Sequence, residues 1–263
     1  MTARKTGAIA SVALALIIGG CTSFYEIAIE TPIQPKLDVS PFSRVLVAGF
    51  ITGGSDDVDA NLETVRLLRS QLRNKSGLRV IEADVLPLAE IAVDQAKSPE
   101  VGGAADGEEN GPQPAQLPAR IRDEKDLGQY ERLFANVAFW KKLGEEYQNP
   151  LIVTGTILFT PHSKSSLVQR EQEVYDSFGR RRVVPIRAYM ERKGFILIPR
   201  FIFIDGRTGT TLYAEKFHEE TLYNPQQNTP ALSSYFELMD RIMPSFLTTL
   251  STQKIRGTRV LLK

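Results

Sequence analysis

Apolar residues in this chain gather into continuous runs and helical stripes, separated by stretches with neither. In SRVLVAGF, Val45, Leu46, Val47 and Ala48 follow one another without a polar residue, the pattern of a strand covered on both faces. LIVTGTILF over 151–159 is of the same kind, and LRVIEAD over 78–84 is a strand between the two. FILIPRFIFID and TGTTLYAEKFHEETLY form two further strands, joined at 205–209 by a turn of residues that tolerate positive φ.

Helical spacing starts at Leu62. Leu62, Val65, Leu68 and Leu72 recur at steps of three and four, which predicts a helix capped by Asp59 or Asn61 and closed at Gly77. VLPLAEIAVDQA is a short helix with Pro87 near its start. Tyr130, Leu133, Phe134, Val137, Trp140 and Tyr147 line one side of a helix that opens at Leu127 and ends at Pro150, with Trp140 as a core anchor. Ala231–Leu250 is a last helix, interrupted by Pro244, and RVLLK adds a terminal strand. Residues 98–120 are rich in Pro and Gly and lack aromatics, so they form a disordered insertion. Residues 160–194 are a second insertion, a hairpin turned at Phe178, Gly179 and Arg180. Early parallel crossovers and a late hairpin predict an α/β (α+β) domain over 43–263. Its mixed sheet has about five strands with helices packed against it.

The amino terminus has its own order. Arg4 and Lys5 form a basic head, and Ile9 to Ile18 is an apolar run of about ten residues, too short to span ~30 Å of hydrocarbon. Gly19, Gly20 and the sole cysteine, Cys21, follow. This is the layout of a secretory signal peptide over 1–20, and Ile18-Gly19-Gly20-Cys21 resembles the lipobox of bacterial lipoproteins. The resemblance implies diacylglyceryl transfer to the Cys21 thiolate, cleavage between Gly20 and Cys21, and acylation of the new amino terminus. Two or three acyl chains hold a protein to a bilayer stably where one does not. Thr22 stands where an Asp would signal inner-membrane retention, which favours the outer membrane, facing the periplasm, in a source with two membranes. Residues 21–42, with Pro32, Pro35 and Pro41, read as a tether.

Composition sharpens this by exclusion. The chain is 24% charged with a net charge of +1, and −1 once Arg4 and Lys5 are removed, so no global field gathers nucleic acid. A single thiol fits an oxidising compartment, where a spare one would mispair.

The order RVLVAGF, helix, SGLRVIE, helix, LIVTGTI and IDGRTGTTLYAEKF resembles the amino-terminal domain of TolB. It is also similar to the related domain of curli-secretion (CsgG-like) and penicillin-binding-protein-activator lipoproteins. Asp205, Thr208 and Gly209, followed by Leu212 and Tyr213, match that family's Asp-x-x-Thr-Gly turn. Tyr213 replaces its usual Trp, and Gly49 stands where proline is commoner. The resemblance spans most of 43–222 and implies a module that recognises envelope proteins and performs no chemistry.

Reactive motifs are missing. No GxSxG, HExxH, GxxxxGK, CxxC or GxGxxG occurs. Gly53, Gly54 and Ser55 follow the first strand as an anion cradle would, without the Lys. His162 and His218 are the only histidines, and His218, Glu219 and Glu220 alternate faces on a strand. Arg66, Arg69 and Arg73 form a solvated helix stripe.

One region stands out. Between Lys164 and Arg200 nine basic residues face four acidic ones. Arg180, Arg181, Arg182 and Arg187 are the candidate surface for an acidic partner, a cell-wall polymer or anionic head groups. The plain alternative is a solvated hairpin guarding a sheet edge. LVQREQEVYDSF sets Gln169, Glu171 and Glu173 against Arg170 and Gln172, so neither side makes the lipid-facing band of a β-barrel pore. The resulting expectation is a lipid-anchored, non-catalytic envelope lipoprotein without cofactor or metal. Its partners are the membrane and envelope proteins, with self-association open and nucleic acid excluded. The alternatives are a subunit of an envelope secretion or transport complex, and an envelope hydrolase.

Overall fold

A computed structural model describes residues 24–97, 117–118, 120–175, 177–224, 226–227, 229–251 and 253–262. Cys21, its signal segment and residues 98–116 of the expected disordered insertion lie outside them. The chain divides into two units, residues 36–251 and the two terminal segments, 1–35 with 252–263.

In the terminal unit, Phe24–Ile33 (β1) is a strand inside the segment read as a tether. It pairs antiparallel with the last strand, Gln253–Leu262, so that Phe24 lies opposite Leu262 and Ile33 opposite Gln253. Pro32 sits one residue from the end of β1, where a missing ladder donor is tolerated.

The larger unit opens with Arg44–Gly54 (β2), buried from Val45 to Ile51. Ala60–Lys75 (α1) starts on Asp59, whose Oδ1 accepts the Leu62 N–H at 3.0 Å. It stops on Ser76, not Gly77, because the Ser76 N–H and Oγ both bond the Leu72 carbonyl. Arg79–Val80 (β3) is short, and Leu88–Lys97 (α2) follows Pro87 directly. The single helix expected from Leu127 is three: Glu124–Gly128 (α3), Glu131–Ala135 (α4) and Val137–Glu146 (α5). Asn136 makes the second break, its side chain accepting the Phe139 N–H at 3.1 Å and capping α5 in mid-pattern. Trp140 is fully buried, donates Nε1–H to the Leu133 carbonyl at 2.9 Å and meets Phe139 edge-on.

Leu151–Tyr175 (β4) and Arg181–Asp205 (β5) are 25 residues each. Thr211–Lys216 (β6) and Glu219–Tyr223 (β7) divide what reads as one strand, since Phe217 N–H turns to the Pro199 carbonyl at 2.9 Å. Ala231–Leu250 (α6) runs unbroken through Pro244. Pro244 is exposed, as is Asp240, whose carbonyl loses its helical donor to the proline. Gln253–Leu262 is β8.

The sheet of the larger unit has six strands in the order β3-β2-β4-β5-β6, with β7 also on β5. It is mixed: β3, β2 and β4 run parallel, and β5, β6 and β7 join antiparallel. One face packs Val65, Leu68 and Leu72 of α1 with Leu238, Ile242 and Phe246 of α6. The other packs Leu88, Leu133, Trp140 and Leu143 from α2, α4 and α5. The result is an α/β fold with helices on both faces of a mixed sheet.

Candidate interaction surface

Most of the reactive candidates have structural contacts. The crevice beyond β2 and β4, where ligands enter many α/β sheets, is filled. Gly54 N–H bonds the Ile121 carbonyl at 2.9 Å and Ser55 N–H the Phe159 carbonyl at 2.7 Å, so neither points at an anion. A Cβ on Gly53 would stand 2.4 Å from Ile121 Cγ2. His162 Nε2 lies 3.3 Å from Glu220 Oε1, while His218 is exposed between β6 and β7. Among the described residues no group of three or more His, Cys, Asp or Glu is placed to hold a metal. On α1, Arg66 pairs with Glu63, Arg73 with Glu82, and Arg69 Nη2–H reaches the Val47 carbonyl at 3.0 Å. Burial pulls the Arg69 pKa down, and this side chain clamps α1 to the sheet.

The turn at Asp205, Thr208 and Gly209 is built as a joint. Asp205 is buried and its Oδ1 accepts the Arg207 N–H at 2.9 Å. Gly209 has φ +75° and its N–H bonds the Asp205 carbonyl at 2.7 Å. Thr208 Oγ1 lies 2.7 Å from Thr210 Oγ1. A Cβ on Gly209 would sit 2.2 Å from the Val137 carbonyl oxygen. The turn therefore seats against the start of α5, a structural duty.

The remaining candidate is the far half of β4 and β5. The strands stay paired from Leu151 opposite Asp205 out to Tyr175 opposite Arg181. β2 leaves β4 after Phe159, and β7 leaves β5 at Lys193. Beyond Ser163 opposite Lys193 the two strands continue as a ribbon, with no third strand among the described residues, for about 40 Å at ~3.3 Å per residue. It is exposed apart from half-buried Val168, Ile186, Ala188 and Met190, and it turns at Gly179, φ +72°.

Alternation and register sort its side chains into two faces. One carries Glu171, Glu173, Glu191, Arg181, Arg187 and Lys193, and Arg181 pairs with Glu173. The other carries Lys164, Arg170, Arg182 and Arg192 and, among the described residues, no acid. The four arginines singled out by sequence are thus not one patch. Arg182 lies on the second face, Arg181 and Arg187 on the first, and Arg180 stacks on Phe178 at the tip, 5.3 Å from the ring centre. The signal for the segregated face was present in the alternation of Val184, Ile186, Ala188 and Met190, whereas LVQREQEVYDSF on the partner strand carries no such period.

No protein-family model and no curated protein matches the chain. Among solved structures it is similar to lipoprotein GNA1162 from Neisseria meningitidis, at 11% identity and a TM-score of 0.35 over 78% of this chain and 97% of that one. It is also similar to a neuraminyllactose-binding hemagglutinin homolog from Helicobacter pylori, at 10% identity and a TM-score of 0.33 over 85% and 91%. No helix among the described residues is long and apolar enough to cross a membrane.

Proposed function

We propose that this chain is an envelope lipoprotein, held by acylated Cys21, whose α/β body of TolB-amino-terminal or CsgG-like type binds other envelope proteins without catalysis. In a source with two membranes it faces the periplasm from the outer one. The observation that carries the reading is the order of basic head, ten-residue apolar run and Ile18-Gly19-Gly20-Cys21. Support for the non-catalytic part comes from the occupied crevice at Gly54 and Ser55.

Mass spectrometry of the membrane-extracted protein should find Cys21 as an acylated amino terminus, and an unmodified Met1 there would overturn the anchor. A Cys21→Ser form that stays with membranes through a carbonate wash would do the same. For binding, crosslinking should capture an envelope protein, and substituting Arg180, Arg181 and Arg182 by Ala should release it with the fold intact. Unchanged capture removes the ribbon tip as the contact. A second reading, a subunit of a larger envelope complex, is favoured by the edges of β4 beyond Phe159 and β5 before Lys193, which no other described strand pairs, since unpaired ladders accept added strands.

A further inference from the structure

We infer that the face of the β4–β5 ribbon with Lys164, Arg170, Arg182 and Arg192, which carries no acid among the described residues, is a docking surface for an anionic lipid bilayer. Lys164, Arg170, Arg182 and Arg192 share this face, and the three acids of the described ribbon all lie on the opposite one, where they balance Arg181, Arg187 and Lys193. A hairpin that merely guards a sheet edge has no reason to segregate its charges. Lys164 and Arg192 are also direct register partners, and like charges directly opposite destabilise a strand pair. An external anion relieves that repulsion.

Spacing names the kind of anion. Arg170 stands six residues along β4 from Lys164, and Arg182 pairs a further four residues on, at Val174. At ~3.3 Å per residue these steps are about 20 Å and about 13 Å. No small ligand bridges them, so the counterpart is an extended surface. Between the cations the same face sets Val168, Val174, Val184, Ile186, Ala188 and Met190. Cations interleaved with apolar side chains match head-group phosphates lying over hydrocarbon. An acidic polymer in water would leave the apolar stripe without a counterpart. The arrangement is suited to lying in the head-group layer, and the ribbon need not span it. Arg170 and Gln172 on this face, which disqualify a lipid-facing barrel band, are at home among phosphates.

The inference rests on the proposed envelope location only for where such a bilayer is met, and it is tested without the acyl anchor. The probe is the full chain carrying Cys21→Ser, sedimented with vesicles of phosphatidylcholine alone or with a third phosphatidylglycerol; the readout is the ratio of the two partition coefficients. That ratio should exceed ten at low salt and fall toward one at 0.5 M salt. Arg170→Gln with Arg182→Gln should lower binding to the anionic vesicles about 25-fold, about fivefold for each cation. Arg187→Gln with Lys193→Gln removes the same charge from the other face and should change it less than about twofold. Circular dichroism checks that all forms fold. A Met190→Trp form should show a blue-shifted emission on anionic vesicles while Glu191→Trp should not. Equal losses from both pairs, a ratio near one in the parent, or stronger binding to soluble polyglutamate than to vesicles would each overturn the inference, the last assigning the face to an acidic protein. A failed Cys21 anchor with an intact face effect would overturn the lipoprotein reading and leave this one standing.

Discussion

Replacing Tyr235 by Phe removes one hydroxyl from the seam between α1 and α6. That hydroxyl shares a hydrogen bond with Thr64 Oγ1 and lies 3.2 Å from the Ala60 carbonyl. Thr64 Oγ1–H also donates to the Ala60 carbonyl at 2.5 Å, so the variant strands no buried donor. The edge-on contact with Phe159 at 5.2 Å needs only the ring. The neutral-pH cost is then that of one net hydrogen bond, about 1 kcal/mol. Alkaline pH adds a second effect of opposite sign. Burial pushes the Tyr235 pKa above its ordinary 10, with the Thr64 hydrogen bond working against it. The folded protein therefore keeps this proton where the unfolded chain gives it up. The stability it contributes is complete below about pH 10 and falls as pH rises, by about 1.4 kcal/mol per pH unit. Urea unfolding of both forms from pH 8 to 11 checks this. The parent should lead by about 1 kcal/mol at pH 8, and the lead should vanish, then reverse, near pH 11. Parallel curves over the whole range would refute a buried, protonated hydroxyl at this seam.

Other substitutions probe the joints of the body. Gly209→Ala meets the Val137 carbonyl at 2.2 Å from a φ of +75° and should cost about 2 kcal/mol in urea unfolding. Gly77→Ala, with nothing within 4 Å, should stay within about 0.5 kcal/mol, and equal effects would dissolve the joint. Trp140→Phe loses the Nε1 bond to Leu133 and part of a fully buried ring. It should cost about 2 kcal/mol; a midpoint shift too small to resolve would remove Trp140 as the anchor between α4 and α5.

The sheet core was legible because Val45 to Ala48 and LIVTGTILF are apolar without interruption, a pattern that needs burial on two sides. Elements decided by single polar contacts were not. Asn136 sits inside an apolar helical stripe, and its side chain accepts the Phe139 N–H to cap a new helix there. Pro244 suggested an interruption that its solvent-facing position makes needless. The pairing of Phe24–Ile33 with Gln253–Leu262 joins segments more than 200 residues apart, and no local period signals such a partner. On the ribbon, the count of basic residues between Lys164 and Arg200 was correct, but a sum along the chain does not say which face each charge takes. The register does.

The ladder between β1 and β8 means that the larger unit is joined to the terminal ribbon at two places, through residues 34–36 and through residues 251–252. Leu37 N–H bonds the Thr249 carbonyl at 3.0 Å, so both connections leave the body side by side. A protease that severs one of them leaves the other crossing, and the ten-pair ladder still clasps the freed strand. One backbone cut in either connection therefore leaves the two paired strands held together by the ladder.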